Sequence, residues 1–259
     1  AEDLFEENVI ANMDWQPMQV IPLEEQDRAC RQCGGRFADP LAGVDLSQLP
    51  TETDLEVSAD DTEVTEGDLL FEGNVSLKQG YRQVTADQVT ADRARETATA
   101  TGNVIFREPG ILIRGSRIDY DSQSEEAIVT DARYVIHDRR MVGSAVQLKR
   151  LGNGEIAIDD GRMTYCSPED PEWILYADEL EIDPVSGDAQ AWGAKLKIAD
   201  VPVMYLPWIR FPVDSRRKTG VLFPDMGSDT RGGVDITAPI YLNLAPNYDL
   251  LYRPRYIQE

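Results

Sequence analysis

Hydrophobic and polar positions alternate along most of this chain, and the alternation itself repeats about every 29 residues. One series is carried by VTADQVTAD, IRGSRIDYD, MVGSAVQLK and LYADELEID, with small residues at Ala86, Gly115, Gly143 and Ala177. Two positions before each small residue stand Val84, Ile113, Met141 and Leu175. Three and five positions after it stand Val89 and Ala91, Ile118 and Tyr120, Val146 and Leu148, Leu180 and Ile182. Same-face residues of an unbroken strand fall at even offsets, so this inward set slips phase once per repeat. A slip at one fixed place predicts an aligned corner or bulge, where each strand bends onto a second sheet and only a small residue fits.

A second series interleaves with the first, at GNVSL, GNVIF, ARYVI, GRMTY and WGAKLKI. It alternates more simply: Val75 and Leu77, Val104 and Phe106, Tyr134 and Ile136, Met163 and Tyr165, Leu196 and Ile198. Lys78-Gln79-Gly80, Glu108-Pro109-Gly110, Gly152-Asn153-Gly154 and Pro184-Val185-Ser186-Gly187 fall between the apolar runs, where turns belong. No helical periodicity intervenes, so the pattern predicts an all-β fold: a twisted, bent, solenoid-like jellyroll of two facing sheets over residues 51–208. The inward rows would either pack as plain core or line a narrow slot suited to an acyl chain.

Composition narrows the function. The net charge of −22 is uneven: residues 1–208 hold 18 basic against 41 acidic side chains, residues 209–259 hold 7 against 6. An acidic surface of this kind repels nucleic acid, so no nucleic-acid partner is expected. The carboxylates between Glu52 and Asp68 lack the glycine and glutamate spacing of a calcium loop and read as a solvated lead-in. No apolar run is long enough for a transmembrane helix, and the first residues do not have the form of a signal peptide. The sole histidine, His137, stands beside charged residues and reads as a surface residue. Zinc held by Cys30, Cys33, Cys166 and His137 lacks paired ligand motifs, and no catalytic constellation or phosphate loop is visible, so neither enzyme activity nor a cofactor or metal is expected.

The segment VPVMYLPWIRFPVDSRRKTGVLFPDMGSDTRGG, residues 201–233, resembles the junction of the LptD (organic-solvent-tolerance, OstA-like) family of lipopolysaccharide-assembly outer-membrane proteins. Pro202, Tyr205, Pro207, Phe211, Pro212, Arg217, Gly220 and Pro224 carry the match, with ITAPIYLNLAPNYDLLYRPRYI following. The upstream Gly-Asn-Val and Tyr-Ala-Asp repeats resemble the OstA-type jellyroll of the periplasmic bridge proteins in the same pathway. The resemblance covers residues 51–259 and implies lipopolysaccharide as cargo, received from an LptA-like bridge that adds to the N-terminal sheet edge. It implies an outer-membrane location, a periplasmic jellyroll, and an LptE-like lipoprotein plug bound to the barrel.

On this resemblance the chain divides into an irregular, flexible N-terminal segment (1–50), the jellyroll (51–208), a proline-rich junction (209–231) and the first two strands of a truncated transmembrane β-barrel (232–259). The expected lipid-facing residues are Val75, Leu77, Val104, Phe106, Ile113, Ile118, Tyr120, Met141, Val146, Leu148, Met163, Leu175, Leu180, Ile182, Leu196 and Ile198. Pro239 and Pro254 sit inside the two barrel-like strands, as edge or bulge prolines or, as the resemblance implies, at a seam that opens laterally. Around the junction prolines Pro207 and Pro212, the Arg216-Arg217-Lys218 cluster either meets lipid A phosphates or anchors the membrane edge. The resemblance also implies that Cys166 and one of Cys30 and Cys33 form disulfides with cysteines beyond residue 259. A carbohydrate-acting or adhesive β-solenoid is the competing reading; it predicts outward aromatic rows or paired carboxylates instead of an apolar slot.

Overall fold

The computed structural model describes residues 13–24, 35–47, 49–65, 67–137, 140–164, 173–198, 201–212, 219–221, 225–228, 234–237, 239–245 and 247–257. Cys30, Cys33, Cys166, Arg216, Arg217 and Lys218 lie outside them. The described elements are almost entirely β. Strands β1 (Trp15–Pro17) and β2 (Gly35–Phe37) pair with each other. A 12-stranded antiparallel sheet follows: β3 (Leu55–Ser58), β4 (Asp61–Val64), β5 (Asp68–Gln79), β6 (Arg82–Asp92), β7 (Thr97–Glu108), β8 (Ile111–Asp121), β9 (Glu126–Ile136), β10 (Met141–Arg150), β11 (Ile156–Thr164), β12 (Trp173–Asp183), β13 (Asp188–Ile198) and β14 (Val201–Pro212). From β5 to β14 every strand pairs with its neighbours in sequence, while β3 and β4 share the outer side of β5.

The strands bend where the repeat places Ala86, Gly115 and Ala177, and in β10 two residues after Gly143, at Ala145. Val75 faces Ala86, Val104 faces Gly115, Ala132 faces Ala145, Gly161 faces Ala177, and Ala194 faces Leu206, forming one inward row at the corner. The backbone devices that turn the corner lie on the odd-numbered strands. Gly73-Asn74 and Gly102-Asn103 both adopt positive φ and set two residues against one on the next strand. Asp131, Asp160 and Gly193 hold the left-handed conformation in the later layers. Asn and Asp tolerate that conformation because short polar side chains bond locally. Here Asn74 Nδ2 donates to Asp60 at 2.7 Å, Asn103 Nδ2 to Asp87 at 2.8 Å, and Ser116 Oγ to Asp131 at 2.8 Å.

The expected turn glycines Gly80, Gly110, Gly154 and Gly187 all have positive φ. Asp92, Asp121 and, in the same turn as Gly187, Asp183 each accept two backbone N–H groups with one carboxylate oxygen, a turn device the glycine pattern does not reveal.

The core has an inner and an outer part. Inside the bend, one cluster gathers Val75, Ala86, Val89, Ala100 and Val104, and a second gathers Val129, Ala132, Tyr134, Ala145, Leu148 and Ile158. Each draws on both halves of the bent strands, so the halves face and touch across the interior. Outside, Met13, Trp15 and Phe37 pack on Leu112, Val135 and Val142. The described part of the N-terminal segment therefore carries a paired hairpin with its own apolar contact, where an irregular segment was expected. His137 is 7% exposed beneath this contact, which corrects its reading as a surface residue.

After the large sheet come β15 (Gly220–Val221), β16 (Asp225–Ser228), β17 (Val234–Thr237), β18 (Ile240–Ala245), β19 (Tyr248–Tyr252) and β20 (Arg255–Ile257). Strand β18 pairs with β15 and β19, and β17 with β16 and β20. Ile240 faces Tyr252 and Thr237 faces Arg255, so a single register runs through both small sheets. The pair is one antiparallel hairpin, interrupted at Pro239 on one strand and Pro254 on the other. The described residues form no closed barrel.

Candidate functional site

The site is the inward face of the bent sheet, built from register and alternation. One row runs unbroken from Val57 at one end to Met204 at the other. Its successive partners are Leu77, Val84, Phe106, Ile113, Tyr134, Gly143, Met163, Leu175 and Leu196. The opposite half of the bend carries a matching row through Phe71, Val89, Ala100, Ile118, Val129, Leu148, Ile158, Leu180, Ala191 and Ile209. The two rows contain no ionisable side chain apart from the Tyr134 phenol.

Burial grades across this face. Val75 and Val104, in the corner row, are 1% and 0% exposed. Leu77, Phe106, Ile113, Ile118, Met163, Leu175 and Leu180 are only half-buried, although all point inward. Met141, Ile182 and Ile198, nearer the open margins, are half-buried too, and Tyr120 is exposed. Leu148 and Leu196 are buried. The row is thus apolar throughout but only partly withdrawn from water, whereas a closed core would bury it. At the N-terminal margin the inward positions turn polar, and Arg82 Nε donates to Glu108 Oε2 at 3.1 Å. Three layers on, Ile111, Ile136 and Met141 take the same margin.

Val146 belongs to neither inward row. It is 56% exposed and points outward, because the corner of β10 falls at Ala145, two residues beyond the expected Gly143. MVGSAVQLK offers two small residues, and the chain uses them for different purposes. Gly143 makes room for the Tyr134 ring, which a Cβ there would strike. Sequence reasoning also passed over Ala145, Ile158, Met204 and Leu206, for which the signal was the register of the neighbouring strands.

The prolines of the junction lie on the last strand of the large sheet: Pro207 and Pro212 are in β14, which continues past the expected limit at 208. Prolines suit a strand with one unpaired side, since each removes a ladder donor. At the other end β3 and β4 are short and exposed, with their outer backbone edge unpaired among the described residues. No group of His, Cys, Asp or Glu among the described residues has the arrangement of a metal site.

Known proteins resemble this chain. Residues 56–187 match the family described as LptA/(LptD N-terminal domain) LPS transport protein. The LPS-assembly protein LptD of Saccharophagus degradans is 36% identical over 87% of this chain and 26% of its own length. That of Chromohalobacter salexigens is 36% identical over 95% of this chain and 29% of its own length. The chain thus spans less than a third of either relative. Among solved structures, LptH, the LptA homologous periplasmic component of the lipopolysaccharide transport device of Pseudomonas aeruginosa, overlaps 39% of this chain and 78% of its own, at 19% identity and a TM-score of 0.35. With a matching family over the bent repeats themselves, this chain belongs to the LptA/LptD N-terminal-domain family of LPS transport proteins.

Proposed function

We propose that this chain carries lipopolysaccharide through the periplasm to the outer membrane, holding its acyl chains between the two inward rows. The observation that carries this reading is the continuous apolar row from Val57 to Met204, partly wet at most of its positions. Each buried CH₂ of an acyl chain gains about 0.8 kcal/mol, so a lipid with several chains needs apolar cover at every step. A path of many similar small contacts lets it slide from layer to layer. The role is transport without catalysis or cofactor.

The exposed β3–β4 edge would receive an LptA-like bridge protein by strand addition, aligning its groove with this one. Strands β15–β20 would begin an outer-membrane barrel, with an LptE-like plug inside the completed structure. Pro239 and Pro254, one on each strand of the interrupted hairpin and staggered by one residue, fit a weak seam for lateral release. Arg216, Arg217 and Lys218 would then stand at the membrane edge, and Cys166 with Cys30 or Cys33 would tie the jellyroll to the barrel by disulfides.

A photo-crosslinking residue at Phe106 or Leu180 tests the reading in living cells. Adducts to lipopolysaccharide are expected at both positions and not at Val146. Their absence at both, with an active probe and normal protein levels, overturns it.

A further inference from the structure

Near the C-terminal end of the large sheet, the outer face carries a cleft with aromatic rings beside it. On β6, for example, the outward positions are Gln83, Thr85, Gln88, Thr90 and Asp92. On β12–β14 they include Tyr176, Trp192, Tyr205 and Trp208, and among the described strand residues of the large sheet outward aromatic side chains occur only here. Glu179 stands opposite Trp192 and Trp192 opposite Trp208, so one cross-strand row reads carboxylate, indole, indole. Trp208 is 52% exposed, a large apolar area to leave in water.

The next outward row toward the hairpin ends is Ala157, Glu181, Gln190 and Arg210. These four line a cleft of about 220 Å³, bounded by the turns that follow β10 and β12. That is smaller than the roughly 300–1,000 Å³ of a drug-sized site and on the scale of one sugar ring. Ile156 and Ile182, which belong to the inward face, line it as well, so the cleft straddles the rim where the inner and outer surfaces meet.

The chemistry of the cleft selects among ligands. Four carboxylates, Glu155, Glu181, Asp183 and Asp188, line it beside one guanidinium, Arg210, which Asp188 already holds at 2.5 Å. An excess of negative charge repels phosphate and carboxylate groups. Hydroxyl groups are suited instead, since they donate to carboxylates and exchange bonds with the Gln190 amide. A pyranose ring offers such hydroxyls at its edge and apolar C–H groups on its faces, the counterpart of an exposed indole.

We propose that the cleft, with Trp192 and Trp208 beside it, is a subsite for uncharged pyranose sugars of the transported lipid's own saccharide, bound on the outer face while the acyl chains lie inside. The proposal rests on the acyl-groove reading. The phosphorylated sugars that carry the acyl chains do not match the acidic cleft; unphosphorylated sugars further along the saccharide do. The lipid is then held on both sides of one rim, which fixes the direction in which its saccharide leaves the groove.

Two measurements test this. In the first, this chain is titrated with lipid-free, dephosphorylated core oligosaccharide. Binding is expected, weakened about fivefold by Trp208→Ala, the effect of one aromatic contact, with unchanged circular dichroism. In the second, a photo-crosslinking residue is placed in living cells at 181 or at 180, neighbours on opposite faces of β12. Adducts to lipopolysaccharide are expected at both. In cells whose lipopolysaccharide is truncated to its phosphorylated inner sugars, the adduct at 180 should persist and that at 181 disappear. Adducts at 180 alone with the complete lipid overturn the subsite and leave the groove reading intact. Absence at both overturns that reading too. An adduct at 181 that survives truncation overturns the assignment to uncharged sugars. Oligosaccharide that does not bind, or binds Trp208→Ala equally well, overturns the part given to the tryptophans.

Discussion

His137 Nε2 lies 3.1 Å from Asp14 Oδ2, a contact between groups 123 residues apart that clips the N-terminal hairpin to the outside of the jellyroll. Arg107 closes the other side, with its two terminal nitrogens 2.5 and 3.1 Å from the Asp14 oxygens. Burial alone would raise the Asp14 carboxyl, but the bonds from His137 and Arg107 outweigh it and hold the group below its ordinary value of 3.8. A depressed carboxyl stabilises the docked hairpin fully above that value, and the contribution is lost as pH falls through the lower folded value. His137 Nδ1 and Trp15 Nε1 are buried there without partners among the described residues, so the clip is tight but under-bonded.

Asp14→Asn should loosen the hairpin by about 1–3 kcal/mol, the cost of leaving buried partners unmatched. Hydrogen exchange at residues 15, 16 and 35–37 reads it: faster exchange at neutral pH, with the wild-type acid dependence gone. Unchanged exchange would show that the apolar contact of Trp15 and Phe37, whose rings lie 4.9 Å apart, holds the hairpin alone.

Gly143→Ala places a methyl group against the Tyr134 ring and the Arg162 carbonyl. Overpacking of this kind costs about 1–3 kcal/mol, so the thermal midpoint should fall by several degrees. The double change with Tyr134→Leu should recover part of the loss.

Asn103→Ala should destabilise by about 1–2 kcal/mol, since its φ of 43° lies in the left-handed region and its bond to Asp87 is lost. Asn103→Gly keeps the backbone conformation and should cost much less. Denaturant unfolding of the three proteins separates backbone strain from the side-chain bond.

Pro239→Ala with Pro254→Ala introduces two amide donors where the hairpin is interrupted. Because Ile240–Tyr252 and Thr237–Arg255 already share a register, the ladder has only to close. Slow exchange of the amides introduced at 239 and 254 is expected; in cells, a closed seam should retard lipopolysaccharide release.

The inner face was legible because inward positions repeat with the strands. Val75, Phe106, Leu180 and Leu196 all fall where alternation places them. The corner itself was less so, since the residues that bend the backbone are Gly73-Asn74 and Asp131 on one series, while the small residues that accommodate the bend stand on the other. Val146 was misplaced because MVGSAVQLK holds two small residues and only the partner Ala132 chooses between them. The outer core was hidden altogether. Leu112, Val135 and Val142 look like ordinary outward positions until Met13, Trp15 and Phe37 arrive from a hundred residues away.

From β6 to β14 no strand pairs with any but its neighbours in sequence. The jellyroll is consequently a ruler as well as a groove. Each repeat adds two strands, about 9.5 Å of length, without disturbing the layers before it. Reach is thus written in the number of repeats, and a chain gaining or losing one whole unit of this kind would change its length while keeping its cross-section.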